Sequence, residues 1–464
     1  MKLEKKSPYG LNNVSALLND VSMNDDQLIH AGEKMSNDAN MEAMRNFKAK
    51  KRDIKPILTE RDSLLLSGLL GLKRERMAKN PFSFYRGSVE LMNHDLERIP
   101  MSDINLLIAG DAHLGNFGFY GSPEHQLLFD LNDFDESHVG HFEDDLLRFM
   151  VSALLVAKQQ GFDIENEVNP FLRDVLDTYR SALVRMTEIP AMDKLTLPNS
   201  IRNISKIFGT LKDGEKHFKK SFQKITAKSI NKALRSTSDY AVEKYTTVLS
   251  NGERRFIDNE PVTVHIGKKD YQKISDGLDR YYNHTKSDIR FFLSNFQIVD
   301  IVRHSVGVGS VGTLCFLVLL EDANNNYLVL QIKQALPIYK NNVIGMNKND
   351  SLGENIVDCQ LILQTASDPF LGWFNTQDKS YYVRQFKDMK GSVNLNKLDL
   401  DAFKDYVLVC VILLARAHSQ SPTFPMIIGY LKNSDKVKKS FIEFANEYMK
   451  QVEMDYHTFI KDLK

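Results

Sequence analysis

The sequence predicts an α+β protein in which a few short strands and polar loops are set among many helices. Two stretches carry the β part. Leu106 to Glu136 reads as an apolar strand, a polar loop GDAHLGN, a hairpin FGFYG/LLFDL and a second polar loop NDFDE. Val302 to Lys333 reads as strand-like segments around a glycine-rich turn. Most of the remaining apolar residues recur at helical spacing.

Taken in order, residues 1–56 are polar with little periodicity, which predicts a loosely attached extension with one or two short helices. Leu58 to Lys79 predicts one helix with a capping-box-like start at Thr59 and Asp62. Pro81 ends it, and Ser88 is positioned to cap the next. Arg86, in the segment FYRG, is either a phosphate ligand or half of a surface ion pair. The segment from Asp145, DLLRFMVSALLVAKQQG, predicts a core-facing helix with Asp145 in its favourable first turn. A third helix follows near NPFLRDVLDTYRSALVRM.

Residues 190 to about 260 are rich in lysine. There IRNISKIFGTLKDGEKHFKKSFQKI, with Phe208, Phe218 and Phe222 interleaved, is either a solvated basic face or a contact for nucleic acid or a phosphorylated substrate. Helices resume from Tyr271 to Phe292.

Gly307, Gly309 and Gly312 form GxGxxG. A dinucleotide-binding fingerprint would open a helix after the third glycine. Here TLCFLVLL, the turn EDANNN and YLVLQIK follow, so the glycines belong to a β-hairpin. Such a hairpin can lay backbone N–H groups over nucleotide phosphates while Lys333 reaches them from the next strand. The alternative is a tight turn with an edge lysine. GENIVDCQLILQTAS predicts a helix on which Glu354 and Asp358, four residues apart, are candidate partners for that lysine or plain surface acids. KSYYVRQFKDMKGS predicts a strand and connector. DAFKDYVLVCVILLARAHSQS predicts a buried helix with His418 as a cation in its last turn. A long amphipathic helix closes the chain.

With Lys+Arg and Asp+Glu both at 60, the formal net charge is zero, which argues against a whole-chain nucleic-acid or membrane binder. Cys315, Cys359 and Cys410 lie in apolar surroundings without CxxC spacing, as reduced core residues of a cytoplasmic protein would. The longest apolar runs are too short to span a bilayer, so no membrane partner is expected.

The chemistry concentrates in Asp111, His113, Asn116, Asp130, Asp133 and Asp135, which span 25 positions. All but His113 are hard oxygen donors of the kind that hold Mg²⁺ or Mn²⁺ while leaving room for phosphate oxygens. A carboxylate off the metal would accept a proton from an attacking hydroxyl. The alternative is a set of turns in which each Asp caps a turn or helix.

The stretches NPFSFYRG, GDAHLGNFG, FDLNDFDE, VGVGSVGT, LQIKQA, SDPFLGW, YYVRQFKDMKGS and LLARAH, in that order, resemble the bacterial family called domain of unknown function 2252. A second, local resemblance is to the aminoglycoside and choline kinases, whose catalytic loop reads H-G-D-x-H-x-x-N. AGDAHLGN is similar to it, with Ala109 in place of the first histidine. That resemblance implies Asp111 as the catalytic aspartate and Asn116 as a metal ligand. It implies Asp133 as the second metal ligand, with Asp130 as the alternative, and Asp145 twelve residues on as the helix-opening aspartate.

The parts run in a different order from a kinase, with the catalytic loop ahead of the glycine loop and the LLARAH helix last. The resemblance therefore implies a circularly permuted, two-lobe kinase-like fold. Its expected divisions are an extension (1–56), large-lobe helices with the catalytic and metal loops (57–295), a small-lobe sheet (296–395) and helices completing the large lobe (396–464). The expected function is ATP- and Mg²⁺-dependent phosphoryl transfer to a hydroxyl of an unidentified acceptor, with a small molecule among the candidates. Lys333, Gly307, Gly309, Gly312, Glu354, Asp358 and Arg86 would serve the nucleotide. The alternatives are AMP transfer, a non-catalytic nucleotide-binding regulator, and a metal-dependent phosphohydrolase built on Asp111, His113, Asp130 and Asp133.

Overall fold

A computed structural model describes residues 23–35, 38–196, 220–305, 312–339, 351–387, 389–432 and 435–463. The fold is α+β, with 17 α-helices among the described residues. Most form one helical body. A six-stranded antiparallel sheet forms the other part.

The helices are α1 (Asp25–Met35), α2 (Asp38–Asn46), α3 (Lys55–Asp62), α4 (Ser67–Met77), α5 (Pro81–Gly87) and α6 (Val89–Leu96). Then come α7 (Phe142–Gln159), α8 (Asn169–Glu188), α9 (Ala191–Thr196), α10 (Lys220–Leu234), α11 (Ser238–Tyr245), α12 (Lys268–His284) and α13 (Ser287–Leu293). The last are α14 (Leu352–Leu363), α15 (Leu400–His418), α16 (Pro425–Tyr430) and α17 (Asp435–Asp462).

Strands β1 (Asn105–Ile108) and β4 (His138–His141) pair, and β2 (Phe117–Gly121) pairs with β3 (Leu127–Leu131) as a hairpin. The first strand of the acidic stretch thus pairs beyond the hairpin rather than with it. A small ribbon, β5 (Thr246–Val248) with β6 (Arg254–Phe256), lies further on.

The large sheet has the order β11 (Gly372–Asn375), β12 (Ser380–Gln385), β10 (Tyr327–Ala335), β9 (Cys315–Asp322), β8 (Phe296–His304) and β7 (Thr263–His265). Its β9–β10 hairpin is the one expected from the sequence, with Asn325 in the left-handed conformation in its turn. Alternation along β10 gives the sheet two different faces. Leu328, Leu330 and Ile332 point outward into a core shared with Ile274, Leu278 and Tyr281 of α12. Val329, Gln331 and Lys333 point the other way, and Val329 packs with Ala241 and Val242 of α11. The sheet unit accordingly begins with β7 and α12, ahead of residue 296.

Several local expectations are corrected by tertiary contacts. The span 58–79 is two helices, α3 and α4, because the chain turns where the Leu66 N–H donates to Gly312 O at 2.7 Å. Pro56 stands in the first turn of α3, and Asp62, expected to help start a helix, ends one and accepts from Lys73 Nζ at 2.9 Å. Asn80, not Ser88, is the working cap here: its Oδ1 accepts from the Ser83 N–H at 2.7 Å, whereas the Ser88 hydroxyl donates back to Phe84 O.

The N-terminal region is docked rather than loose where it is described. Leu28, Met41 and Met44 are buried in the main core, and Arg52 bridges Asp95 and Asp455. A Cβ on Gly32 would lie 1.8 Å from Met426 O, so only glycine permits this approach of α1 to α16. No described helix is long and apolar enough to cross a membrane. The three cysteines are buried free thiols.

Candidate functional site

One face of α7 builds the loop that follows β1. Asp145, Arg148 and Ser152 fall at helical spacing and all point at residues 109–114. Asp145 accepts the Ala109 and Gly110 N–H groups, both at 2.8 Å. Ser152 Oγ accepts the Leu114 N–H at 2.9 Å. Arg148 Nε donates to Asp111 Oδ1, and its guanidinium lies 4.2 Å from the centroid of the Tyr85 ring. From the opposite side Tyr406 of α15 donates to Leu114 O at 2.9 Å, and His418 Nε2 stands 3.1 Å from Asp145 Oδ2. His418 is therefore part of the loop's anchor as well as the last residue of α15. Gly110 has φ +74°, and a Cβ there would strike Glu136 O at 2.0 Å.

The two polar loops meet through Asn116. Its side-chain amide donates to Asp111 O at 3.1 Å and to Asp133 O at 2.9 Å, which leaves Oδ1 as its ligand atom. Burial drives the Asp111 carboxyl up to about 6, and Arg148 restrains that rise. His113, 3.5 Å from Asp111, is buried and pushed well down, chiefly by desolvation and then by Arg86 and Arg148, so its ring is neutral near pH 7.

Lys333 reaches this floor from β10. Its Nζ donates to Asp135 Oδ2 and stands 3.7 Å from Asp133 Oδ1. Tyr382, its cross-strand partner, donates to Asp135 Oδ1 at 2.7 Å. Burial opposes the lysine's charge, yet Asp133 and Asp135 hold its pKa well above the usual range. Burial likewise raises Asp135, but Lys333 outweighs it and the carboxyl is lowered. Lys333 is 4 % exposed and Asp133 46 %, so the cation is fixed inside while the aspartate keeps an open side.

The expected acids of α14 do not serve the lysine; Asp133 and Asp135 do. Asp358 is instead driven up to about 7 by burial and by Glu354. Asp130 is fully buried, accepting the Leu131 N–H at 2.9 Å with Arg416 4.0 Å away, and so is withdrawn into the protein. Arg86 borders the floor: its Nε is buried without a hydrogen-bond partner among the described residues, 3.2 Å from where a Gly115 Cβ would sit. Gly307 and Gly309 lie outside the described residues. Gly312 is described, has φ +103°, and lies three residues before Cys315, the cross-strand partner of Lys333.

Three site residues escaped the sequence reading in their roles. Arg148 is a lone cation in an apolar helix, and a buried charge of that kind implies a fixed partner. Asp135 was visible as a donor but not as the lysine's partner. Arg384, whose Nε donates to Gln331 Oε1 at 2.9 Å, lies in the field of Asp133 and Asp135.

The donor set fits magnesium bound in its usual way, by one or two protein oxygens plus phosphate. Asn116 Oδ1 and the open side of Asp133 are the oxygens that could serve such an ion. Among the described residues no group of three or more His, Cys, Asp or Glu side chains is placed to cage a metal.

Fold and site together define an α+β protein with a buried lysine set over an acidic, loop-built floor. The chain belongs to the family described as uncharacterized protein conserved in bacteria (DUF2252), whose profile matches residues 65–462. No curated protein and no solved structure matches it.

Proposed function

We propose that this protein is a cytoplasmic, ATP-dependent phosphotransferase acting on a hydroxyl, with a circularly permuted kinase-like arrangement. The observation that carries the reading is the meeting of Lys333 with Asp133 and Asp135, 198 residues away in sequence for Asp135. Phosphoryl transfer needs positioned charge more than covalent chemistry, and these groups offer it. Lys333 neutralises phosphate charge. Asn116 and Asp133 would hold Mg²⁺, which would supply charge shielding for the phosphate oxygens. Arg86, with an unused buried Nε, takes a further phosphate oxygen. Asp111 accepts or orients the acceptor hydroxyl's proton, and Arg148 keeps its carboxylate aimed.

The anchoring of the Asp111 loop by Asp145 and His418 supports the permuted order, since His418 ends the LLARAH helix. A phosphohydrolase built on Asp111, His113, Asp130 and Asp133 has less support, because Asp130 is turned toward Arg416 and His113 is sealed in.

The test supplies purified protein with Mg·ATP and a metabolite filtrate and follows nucleotide products. ADP and a phosphorylated small molecule are expected, with Asp111→Asn and Lys333→Ala each lowering the rate about a hundredfold or more. The rate should rise as pH passes through about 6, where Asp111 loses its proton. AMP as the first product would instead indicate adenylyl transfer. Tight nucleotide binding without turnover would indicate a regulator.

A further inference from the structure

Beside the Lys333 floor lies a cleft of about 840 Å³ between α10, α11 and the inner face of the sheet. Its rim from the helices carries Lys228, Lys232, Arg235 and Lys244. Its sheet side and the following loop carry Arg384, Lys387 and Lys390. Among the described residues no Asp or Glu lines it, and none of these seven cations forms an ion pair with a described residue. Lys228 and Lys232 share one face of α10 at a spacing where like charges cost helix stability, and Arg235 follows directly after its last residue. A chain with zero net charge has gathered cations here against their mutual repulsion.

The cations are also arranged. Arg384 is fixed by Gln331, which lies two residues before Lys333 on the same face of β10. Lys387 donates to Tyr245 Oη at 2.6 Å and lies 4.6 Å from that ring's centroid. Lys390 is pushed down to about 7 by burial and by the Arg384 charge beside it, so it is a full cation at neutral pH only with an anion nearby. Gly391 lets the loop lie against α10: a Cβ there would be 2.8 Å from Ala233 Cβ.

We infer that this cleft binds a multiply phosphorylated small molecule whose near end reaches Lys333. The inference rests on the phosphotransfer reading only for the role of that molecule, not for its binding. The volume falls within the range of small-molecule sites. The cations line a bounded cleft between two helices and a sheet, whereas a nucleic-acid footprint is a basic stripe along a surface. The phosphates belong either to the nucleotide itself or to a phosphorylated acceptor.

Calorimetric titration of the full chain with inorganic tripolyphosphate, without metal, tests this. One site per chain is expected, weakened about tenfold or more in Lys232→Glu/Arg235→Glu. Both substituted residues are exposed, Lys232 on α10 and Arg235 just past its end, and circular dichroism checks that the variant stays folded. Repeating the titration with Mg·ATP present separates the sources. Loss of tripolyphosphate binding means the cleft holds the nucleotide's own phosphates; binding of both together means a phosphorylated acceptor. If Mg·ATP neither binds nor turns over while tripolyphosphate still binds and still responds to the variant, the phosphotransfer reading falls and the cleft assignment stands. No tripolyphosphate binding, binding indifferent to the variant, or about tenfold tighter binding of a single-stranded oligonucleotide lost in the same variant would each overturn the inference.

Discussion

Glu143 and Asp145 stand two residues apart in the first turn of α7 and are buried to the same degree, yet their surroundings differ. Asp145 accepts two backbone N–H groups and faces His418. Glu143 Oε1 accepts the Ser102 N–H at 2.9 Å, and among the described residues its Oε2 has no hydrogen-bond partner. Burial drives the Glu143 carboxyl up to about 8. Its folded-state value therefore lies above the unfolded one, near the usual 4.5. The neutral carboxyl's contribution to stability is complete below the lower value and is lost as pH rises through the upper one. Its slope is at most about 1.4 kcal/mol per pH unit. Glu143→Gln keeps the acceptor for Ser102 and removes the titration. Urea denaturation between pH 5 and 9 should show the wild type losing stability relative to this variant as pH rises. Parallel profiles would mean that Glu143 ionises freely.

Among the elements, α7 does most to position the site, and its effect comes from one polar face. Asp145→Asn should cost about 3 kcal/mol in denaturation, because a buried charge network loses a member. Ser152→Ala should cost about 1 kcal/mol. Turnover should fall further than nucleotide affinity in Asp145→Asn, since the loop it holds carries Asp111 while Lys333 stands on another element. An affinity loss equal to the turnover loss would place Asp145 elsewhere in the account.

How far these elements could be read in advance follows from where their determinants lie. The period of apolar residues located α7, α15 and α17, because each buries a stripe of its own residues. Alternation and turn residues located β2, β3, β9 and β10. The acidic loops were legible because six polar groups crowd beside apolar strands. The break between α3 and α4 was not, because apolar residues continue through Ser63–Leu66 and the contact that turns the chain comes from Gly312. Lys333's partners were sought on α14, where spacing offered Glu354 and Asp358. The carboxylates that meet it come from the loop after β3, and no local pattern announces a tertiary contact of that range.

At the scale of the molecule, the sheet and the helical body are joined by helices that bond to both. Asn355 of α14 donates to Ser137 O at 3.2 Å, and Gln364, just past its end, donates to Leu131 O at 2.7 Å. Arg416 of α15 donates to Leu363 O at 2.8 Å. These bonds hold the second polar loop at a fixed distance from the inner face of the sheet. A triphosphate bound against Lys333 on the sheet and Asp133 on the loop would tie the two parts together further, and that linkage is measurable. A ligand that binds only the folded state at a hundred times its dissociation constant adds about 2.7 kcal/mol. Thermal melting with and without millimolar Mg·ATP, for wild type and Lys333→Ala, is the most direct test. The midpoint of the wild type should rise by several degrees and that of Lys333→Ala should not move. An unmoved wild type, or an equal rise in the variant, would contradict a nucleotide site at this lysine.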